Sequence, residues 1–444
     1  MIENVGVKQF NNVETKSRVF FLLFLASFLL AVFLRNVIGV EIPPILLLGM
    51  YVIGACFCDG NEIIALLLCC IPLSSAFQYK YAILILLFIY LIKNPSEFRI
   101  TTLIVPFVCM LAWELLHGIK YDFSFVELLR GFAELFLLLF VAMLSKKNFN
   151  YAFIARVFAY CSVIVMTMAF IRVLKLNDYN FSGVFNGHYR FGVTDKNAEE
   201  FSFNFNANQL GVICNLGFIL LMQLRFAKRG KMIDFFAMFA LVAFGAMTMS
   251  RSFLVCLLIS CLLMVFCGKT DSDSILKKII ILIFGLVLLI GLVYLIFPSV
   301  IEQFLKRFQV DDVSNGRIDL FGIYNNLIFN NAEVSMFGVG LQNVFEKLKS
   351  IIGLAENVSH NGIQELILVW GVPGLILVSW FIGLVIKNGR EKFKKQTLIN
   401  YLPFIFLFIK IQFGQLITSG DSLLSLLICY LSICMNFNEE KNNV

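Results

Sequence analysis

Long apolar stretches recur along the whole chain, as at residues 19–34, 149–174 and 362–386. About 20 mostly apolar residues, coiled as an α-helix, match the ~30 Å hydrocarbon core of a bilayer. In hydrocarbon the backbone must satisfy its own polar groups, and a helix does so within the segment. Barrel strands alternate apolar and polar residues over about 10 positions, a pattern these runs lack. Composition agrees: 59% of the 444 residues are hydrophobic and 15% charged, against about 25% charged in soluble domains. Too little polar surface remains to coat a water-soluble particle. The chain reads as an all-α polytopic membrane protein with one membrane domain over 1–444. Soluble Rossmann, TIM-barrel and β-sandwich enzymes are excluded.

About fourteen candidate transmembrane helices can be placed. They centre on residues 19–34, 38–58, 62–77, 79–92, 100–116, 128–144, 149–174, 207–227, 233–250, 252–267, 277–297, 362–386, 397–413 and 422–437. The third and fourth are short and Pro72 interrupts the third, so a re-entrant pair within about twelve crossings is the alternative. The first run lacks a small-residue cleavage site and reads as a retained anchor. Basic residues crowd into alternate short connections, as Lys8, Lys16 and Arg18, then Arg225, Lys228, Arg229 and Lys231, then Lys387, Arg390, Lys392, Lys394 and Lys395. Such connections face the cytoplasm, which places both termini there. The net charge of +7, spread over loops, reports topology, and no nucleic-acid partner is expected. The 12 cysteines all lie in or beside apolar runs, where they act as small hydrophobes and not as a disulfide framework or metal set.

Two loops on the opposite face are long enough to hold function, residues 175–206 and 298–361. Within the second, 301–308, 318–329 and 344–352 place apolar residues at helical spacing beside charges. They are expected to form amphipathic helices on the membrane surface or over a cavity, a helical cap on the membrane domain.

Ionisable groups near membrane depth are costly and each requires a reason. Arg251 stands in Ser250-Arg251-Ser252, where one apolar run ends and the next begins without a polar linker. It either snorkels to head groups or aims a guanidinium fork suited to phosphate oxygens into a cavity. Arg317, after Ser314-Asn315-Gly316, either pairs with Asp319 or serves the same purpose, and Arg190 in the first loop is a third basic candidate beside His188. His360 closes the long loop in Ser359-His360-Asn361-Gly362-Ile363-Gln364-Glu365. Ser359 is expected to cap the following helix, with His360 and Asn361 at its mouth and Gln364 and Glu365 one turn deeper. A His within reach of a carboxylate can act as general base near neutral pH; the bland alternative is an interfacial His bonded to head groups. No second His lies at ligand spacing, so no metal is expected. Asn206, Asn208 and Gln209 open another span, either as sugar-hydroxyl partners or as helix cap and interhelical glue. Glu114, Arg130 and Glu134 are accounted for by a structural ion pair.

These segments resemble the O-antigen ligase/polymerase superfamily of bacterial surface-polysaccharide assembly. Asn206-Ala207-Asn208 resembles that family's Asn-Pro-Asn segment, with Ala207 in place of Pro. Ser250-Arg251 is similar to its Ser-Arg motif. Gly316-Arg317, an amphipathic helix and then Phe337-Gly338-Val339-Gly340 resemble its main periplasmic loop. His360-Asn361 followed by Gly371-Val372-Pro373-Gly374 matches its His-Asn…Gly-x-x-Gly pattern at full spacing. The resemblance covers the C-terminal half; the N-terminal half adds only apolar spans.

The resemblance implies a GT-C type membrane glycosyltransferase in the bacterial inner membrane, its site facing the periplasm. Its substrates would be oligosaccharides on undecaprenyl diphosphate, with the lipid diphosphate as leaving group and no cofactor. Arg251 and Arg317, with Arg190, would stabilise the developing diphosphate charge. His360 would orient or deprotonate the acceptor hydroxyl, with inversion at the anomeric carbon. Asn206, Asn208, Asn361 and Glu365 would bind substrate. A polymerase joining repeat units is the favoured expectation, with a chain-length regulator as partner. A ligase transferring the glycan to lipid A-core is the alternative. A flippase is the third reading, disfavoured by the long loop and by the lack of two equivalent halves.

Overall fold

The computed structural model describes residues 3–77, 79–144, 149–181, 183–186, 207–248, 250–267, 317–341, 361–392, 398–412 and 420–433, with single positions 191, 291, 294, 298 and 348. Among them the regular structure is helical, apart from one isolated antiparallel bridge between Phe98 and Leu144. Among the described residues four helices are long and apolar enough to cross a membrane: Ser17–Ile38, Tyr151–Leu176, Ala207–Phe226 and Gly362–Asn388. Shorter apolar helices accompany them, among them Pro44–Phe57 and Met232–Met247. The expected all-helical class and membrane character are both met. The expected span at 277–297 and the amphipathic segments 301–308 and 344–352 lie outside the described residues.

The helices divide into two compact units. The first comprises Met1–Glu97, Asn148–Phe218 and Ile233–Thr248. It holds α1 (Glu3–Phe33), α2 (Pro44–Phe57), α3 (Gly60–Cys69), α4 (Tyr79–Lys93), α7 (Tyr151–Leu176), the short α8 (Gly183–Asn186), the first part of α9 (Ala207–Phe226) and α10 (Met232–Met247). A π-helical turn, Leu34–Ile38, ends α1. The carbonyls it leaves bare are met by a cation: Lys175 Nζ lies 3.3 Å from both Val37 O and Ile38 O. Lysine suits a helix C-terminus because it donates to orphan carbonyls and opposes the negative end of the dipole.

Helix α3 starts with a full capping box: Asp59 accepts from the Glu62 amide and Glu62 from the Asp59 amide. It is only 10 residues long, about 15 Å or half a hydrocarbon core. Turns around Pro72 then carry the chain to α4. The stretch read as a third span is therefore a half-length helix and a turn. It packs against α7, and the Tyr51 hydroxyl donates to Leu66 O within this interior at 2.7 Å. Phe28, Tyr51 and Phe77 close the other side, with ring centroids 4.7 to 5.5 Å apart.

The second unit comprises Phe98–Lys147, Ile219–Met232 and Met249–Val444. It holds α5 (Ile104–Lys120), α6 (Phe125–Met143), α11 (Arg251–Cys267), α12 (Arg317–Asn330), α13 (Ala332–Met336), α14 (Gly362–Lys392), α15 (Leu402–Ile411) and α16 (Gly420–Ile433). Helix α5 packs on α6 and α14, α13 on α14, and α16 on α6. A buried polar clasp ties the end of α9 to the chain around α15 and α16. Gln223 Nε2 donates to Ile399 O (2.6 Å) and Ser432 Oγ (2.8 Å), while Ser432 Oγ donates to Asn400 O (2.7 Å) and Asn400 Nδ2 to Ser432 O (3.0 Å). All three side chains are fully buried, and reciprocal bonding answers the penalty of burying them.

In the first unit a buried ion pair joins α7 to α10. Arg156 Nε lies 3.1 Å from Asp234 Oδ1, and the Tyr160 hydroxyl donates to the same carboxylate. The Asp234 side chain is 3% exposed. Removing one partner of a buried pair leaves an uncompensated charge, at about 3–5 kcal/mol. Arg156→Met should therefore lower thermal stability in detergent strongly, and Arg156→Met with Asp234→Leu should recover most of the loss. Equal losses in the single and double variants would show that the charge is not the cause.

Candidate functional site

The second unit is organised around a break in a helix. Gly371-Val372-Pro373-Gly374 lies inside α14, where Gly371 adopts φ 67° and ψ −172°, outside the helical region. Pro373 has no N–H to offer Val369 O, and the turned Gly371 peptide interrupts the ladder. The span read as continuous from 362 to 386 is thus two helices across a kink. The exposed carbonyls find donors elsewhere. Val339 N donates to Leu368 O (2.9 Å) and Gly340 N to Val369 O (2.7 Å). Trp113 Nε1, on α5, donates to Trp370 O (2.9 Å).

The donors Val339 and Gly340 belong to the loop segment that follows α13. Backbone meets backbone so closely that a Cβ at Gly338 would stand 2.4 Å from Val369 O, and one at Gly371 would stand 2.7 Å from Met336 C and O. Gly338 has φ 83°, a conformation that L side chains resist. The two glycine segments, at 337–340 and 371–374, therefore form one junction.

One face of α5 holds this loop segment. Glu114 Oε1 accepts from Leu341 N at 3.1 Å, and Glu114 Oε2 accepts from Trp370 Nε1 at 2.6 Å. His117 has Nδ1 2.7 Å from Trp113 O and Nε2 2.8 Å from Phe337 O. The Tyr121 hydroxyl donates to Gly338 O at 2.9 Å. Glu114 and His117 are fully buried. Glu114, grouped from the sequence with Arg130 and Glu134, thus serves to bind a backbone amide and an indole; the side chains of Arg130 and Glu134 lie outside the described residues. The signal was present in the spacing, since Glu114, His117 and Tyr121 at i, i+3 and i+7 form a polar stripe on an apolar helix. At the rim, Lys120 Nζ lies 2.7 Å from Glu333 Oε1 and 4.3 Å from the centre of the Phe337 ring. The hydrogen bond from Lys120 holds the Glu333 carboxyl below its ordinary value.

Of the expected site residues, Arg251, Arg317, Asn361 and Glu365 are described in the second unit. Arg251 is the first residue of α11, directly after Ser250, which accepts from the Phe253 amide at 3.4 Å and lies 2.9 Å from Ser252 Oγ. Ser250 is thus the cap and Arg251 the first turn, as the abrupt junction in the sequence implied. Arg317 is the first residue of α12, the helix expected at 318–329; its side chain lies outside the described residues. Asn361, not Ser359, caps α14: its Oδ1 accepts from Ile363 N (3.0 Å) and Gln364 N (3.1 Å). The helix starts at Gly362, so the capping position is one residue before it. Gln364 and the buried Glu365 stand in the first turn. Gln364 Nε2 donates to Phe321 O (2.9 Å) and Asn325 Oδ1 (2.8 Å), which joins the helix opened by Arg317 to the one capped by Asn361.

In the first unit Asn208 is half-buried in the opening turn of α9, and the adjacent Gln209 donates to Ser74 Oγ at 3.0 Å, the interhelical-glue reading. Arg190, Asn206, His188, Ser359 and His360 lie outside the described residues. Among the described residues no three His, Cys, Asp or Glu gather as a metal set, and the cysteines are free thiols. No family model matches the chain, and no curated protein matches it.

Gly371→Ala should lower stability by about 3 kcal/mol through its Gly-only backbone region and the clash with Met336. Gly383→Ala, in the same helix with open space around it, should raise it by up to about 1 kcal/mol. Thermal unfolding of both variants tests the junction; similar shifts would refute it. The pair at Glu333 has a definite pH signature. A depressed folded value means its contribution is full above the unfolded carboxylate value, about 4.3, and vanishes as pH falls through the lower folded value. Glu333→Gln should lower the thermal midpoint equally at about pH 6 and pH 8, and converge with wild type below about pH 4.

Proposed function

We propose that this chain is a bacterial surface-polysaccharide polymerase of the O-antigen or capsule type. It joins repeat units carried on undecaprenyl diphosphate, in a GT-C type fold of about fourteen spans. Both termini lie in the cytoplasm and the site faces the periplasm of the inner membrane. A chain-length regulator is its expected partner.

The observation that carries this reading is that Arg251 and Arg317 each open a helix. A cation at a helix N-terminus opposes the positive end of the macrodipole, at about 0.3–1 kcal/mol per site. An anion reverses the sign, because exposed amides, dipole and guanidinium all attract it. A diphosphate leaving group is such an anion, and its charge grows as the glycosidic C–O bond breaks. Stabilisation that increases toward the transition state accelerates the reaction itself. The acceptor hydroxyl attacks the anomeric carbon from the opposite face, His360 takes its proton, and undecaprenyl diphosphate departs. The configuration inverts and no metal is needed. Asn361 and Glu365, in the first turn after His360, supply polar contacts to the sugars. The docking of 337–341 on α5 and α14 supports the reading further, since two of the resembling segments meet there.

The test uses purified chain in detergent with undecaprenyl-diphosphate-linked repeat units as sole substrate. Wild type should yield a ladder that lengthens with time. Arg251→Ala should slow it by about 100- to 1000-fold, and His360→Ala by about 100-fold or more. Product formed only after lipid A-core is added would make the protein a ligase. Binding of the lipid with no product from either acceptor would replace the reading with a flippase.

A further inference from the structure

His117, in the last turn of α5, meets a carbonyl oxygen at each ring nitrogen: Trp113 O lies 2.7 Å from Nδ1 and Phe337 O lies 2.8 Å from Nε2. A carbonyl oxygen only accepts, so each contact requires a proton on the ring. A neutral imidazole has one N–H and one lone pair, and a lone pair held that close to a carbonyl oxygen repels it. Both bonds are therefore made by the imidazolium.

The surroundings suit a cation. His117 is fully buried, and a buried charge persists only where it is paired and hydrogen-bonded. Glu114, equally buried, is its neighbour at i−3 on the same helix face. Both Glu114 oxygens accept, from Leu341 N and Trp370 Nε1, as a carboxylate's do. The C-terminal end of a helix also favours positive charge. Of the other charged and titratable groups at this end, Lys120 is held by Glu333 of α13, Tyr121 bonds Gly338 O, and Asp122 is exposed in the turn that follows. Helix α14 brings the Trp370 indole, with Glu365 more than a turn away at its start. On α6 the side chains of Glu127, Arg130 and Glu134 lie outside the described residues.

We propose that His117 is a proton-operated clasp: the imidazolium holds the Phe337 carbonyl, and with it the start of segment 337–341, against α5, and loss of one proton to solvent releases it. Trp113 O belongs to the same helix and stays beside the ring, so the Phe337 carbonyl is the one that parts. The bonds from Val339 and Gly340 to α14 remain, and the release is local to the end that joins α13. The assignment is independent of the polymerase reading.

Histidine is the side chain whose ordinary charge change falls between pH 5 and 8. Bonds to both N–H groups favour the protonated ring. Their contribution is whole below about pH 6.5, where an unfolded His is protonated too, and is lost as the folded ring gives up its proton at higher pH. Titration of Glu114 would act in the opposite sense. The Lys120 ammonium is raised above its ordinary value, its burial outweighed by the bond to Glu333, and burial raises Tyr121. Glu333 is lowered by its bond from Lys120, so these three keep their charge between about pH 6 and 9.

The experiment uses the full-length chain in detergent with 15N-labelled histidine. The chain has three His, and replacing each with Gln in turn assigns the signals. At pH 7 both ring nitrogens of His117 should carry protons. Hydrogen exchange at the Phe337 and Gly338 amides, corrected for the intrinsic rate, should quicken about tenfold from pH 6 to pH 9, the effect of one hydrogen bond. His117→Gln offers an N–H that does not titrate, so its corrected exchange should be flat over that range. A single protonated nitrogen at pH 7 overturns the clasp, as does wild-type exchange that ignores pH or a His117→Gln variant that keeps the wild-type dependence. Should that variant fail to fold, the two wild-type measurements decide, with the His117 signal assigned from the other two variants.

Discussion

The second unit depends on three carbonyl groups released from one helix. An intact α14 would bond Leu368, Val369 and Trp370 internally and present a closed cylinder to its neighbours. Pro373 and the turned Gly371 prevent this. A buried carbonyl without a donor is costly, so the break is tolerable only where other chain segments supply N–H groups. Val339, Gly340 and the Trp113 indole supply them. The loop is therefore held by backbone chemistry, and side-chain size enters mainly as a veto: Gly338 and Gly371 must lack a Cβ.

From that junction the positions of the surrounding groups follow in order. Glu114 fixes Leu341 N and the Trp370 indole together, so α5, α14 and the loop are joined at a single carboxylate. The ring of His117 lies against the Phe337 carbonyl, and Lys120 covers the Phe337 ring. Helices α12 and α13 run into this anchored segment, so α12 is tied down at one end by the junction and along its side by Gln364. Sites built on such helices hold their geometry better than sites on free loops.

Much of this was legible in the sequence, and the reason differs by feature. Hydrophobic runs announced helices because a bilayer permits little else. The bare turn at Ser250-Arg251 announced a helix start, and the apolar spacing of 318–329 announced α12, since each is a local pattern. Capping was harder: Ser359 and Asn361 are both good caps, and only the position of the first helical residue chooses between them. The turn after α3 was half legible: the run is short and Pro72 interrupts it, yet ten buried residues and a Pro-containing turn have the composition of a span. The contact between the two glycine segments was invisible to periodicity, which relates neighbours in sequence and not residues some thirty apart.

The same distinction separates the buried polar residues whose partners the fold supplies from those for which it does not. Glu114, Gln223, Asn400 and Ser432 each have identified partners, and their burial needs nothing beyond the protein. The Tyr324 hydroxyl and Gln364 Oε1 are buried without a hydrogen-bond partner among the described residues. Natural chains depart from local consistency chiefly where function compensates. Among the described residues such atoms occur in both units, as at Ser75 Oγ in the first and the Tyr324 hydroxyl in the second.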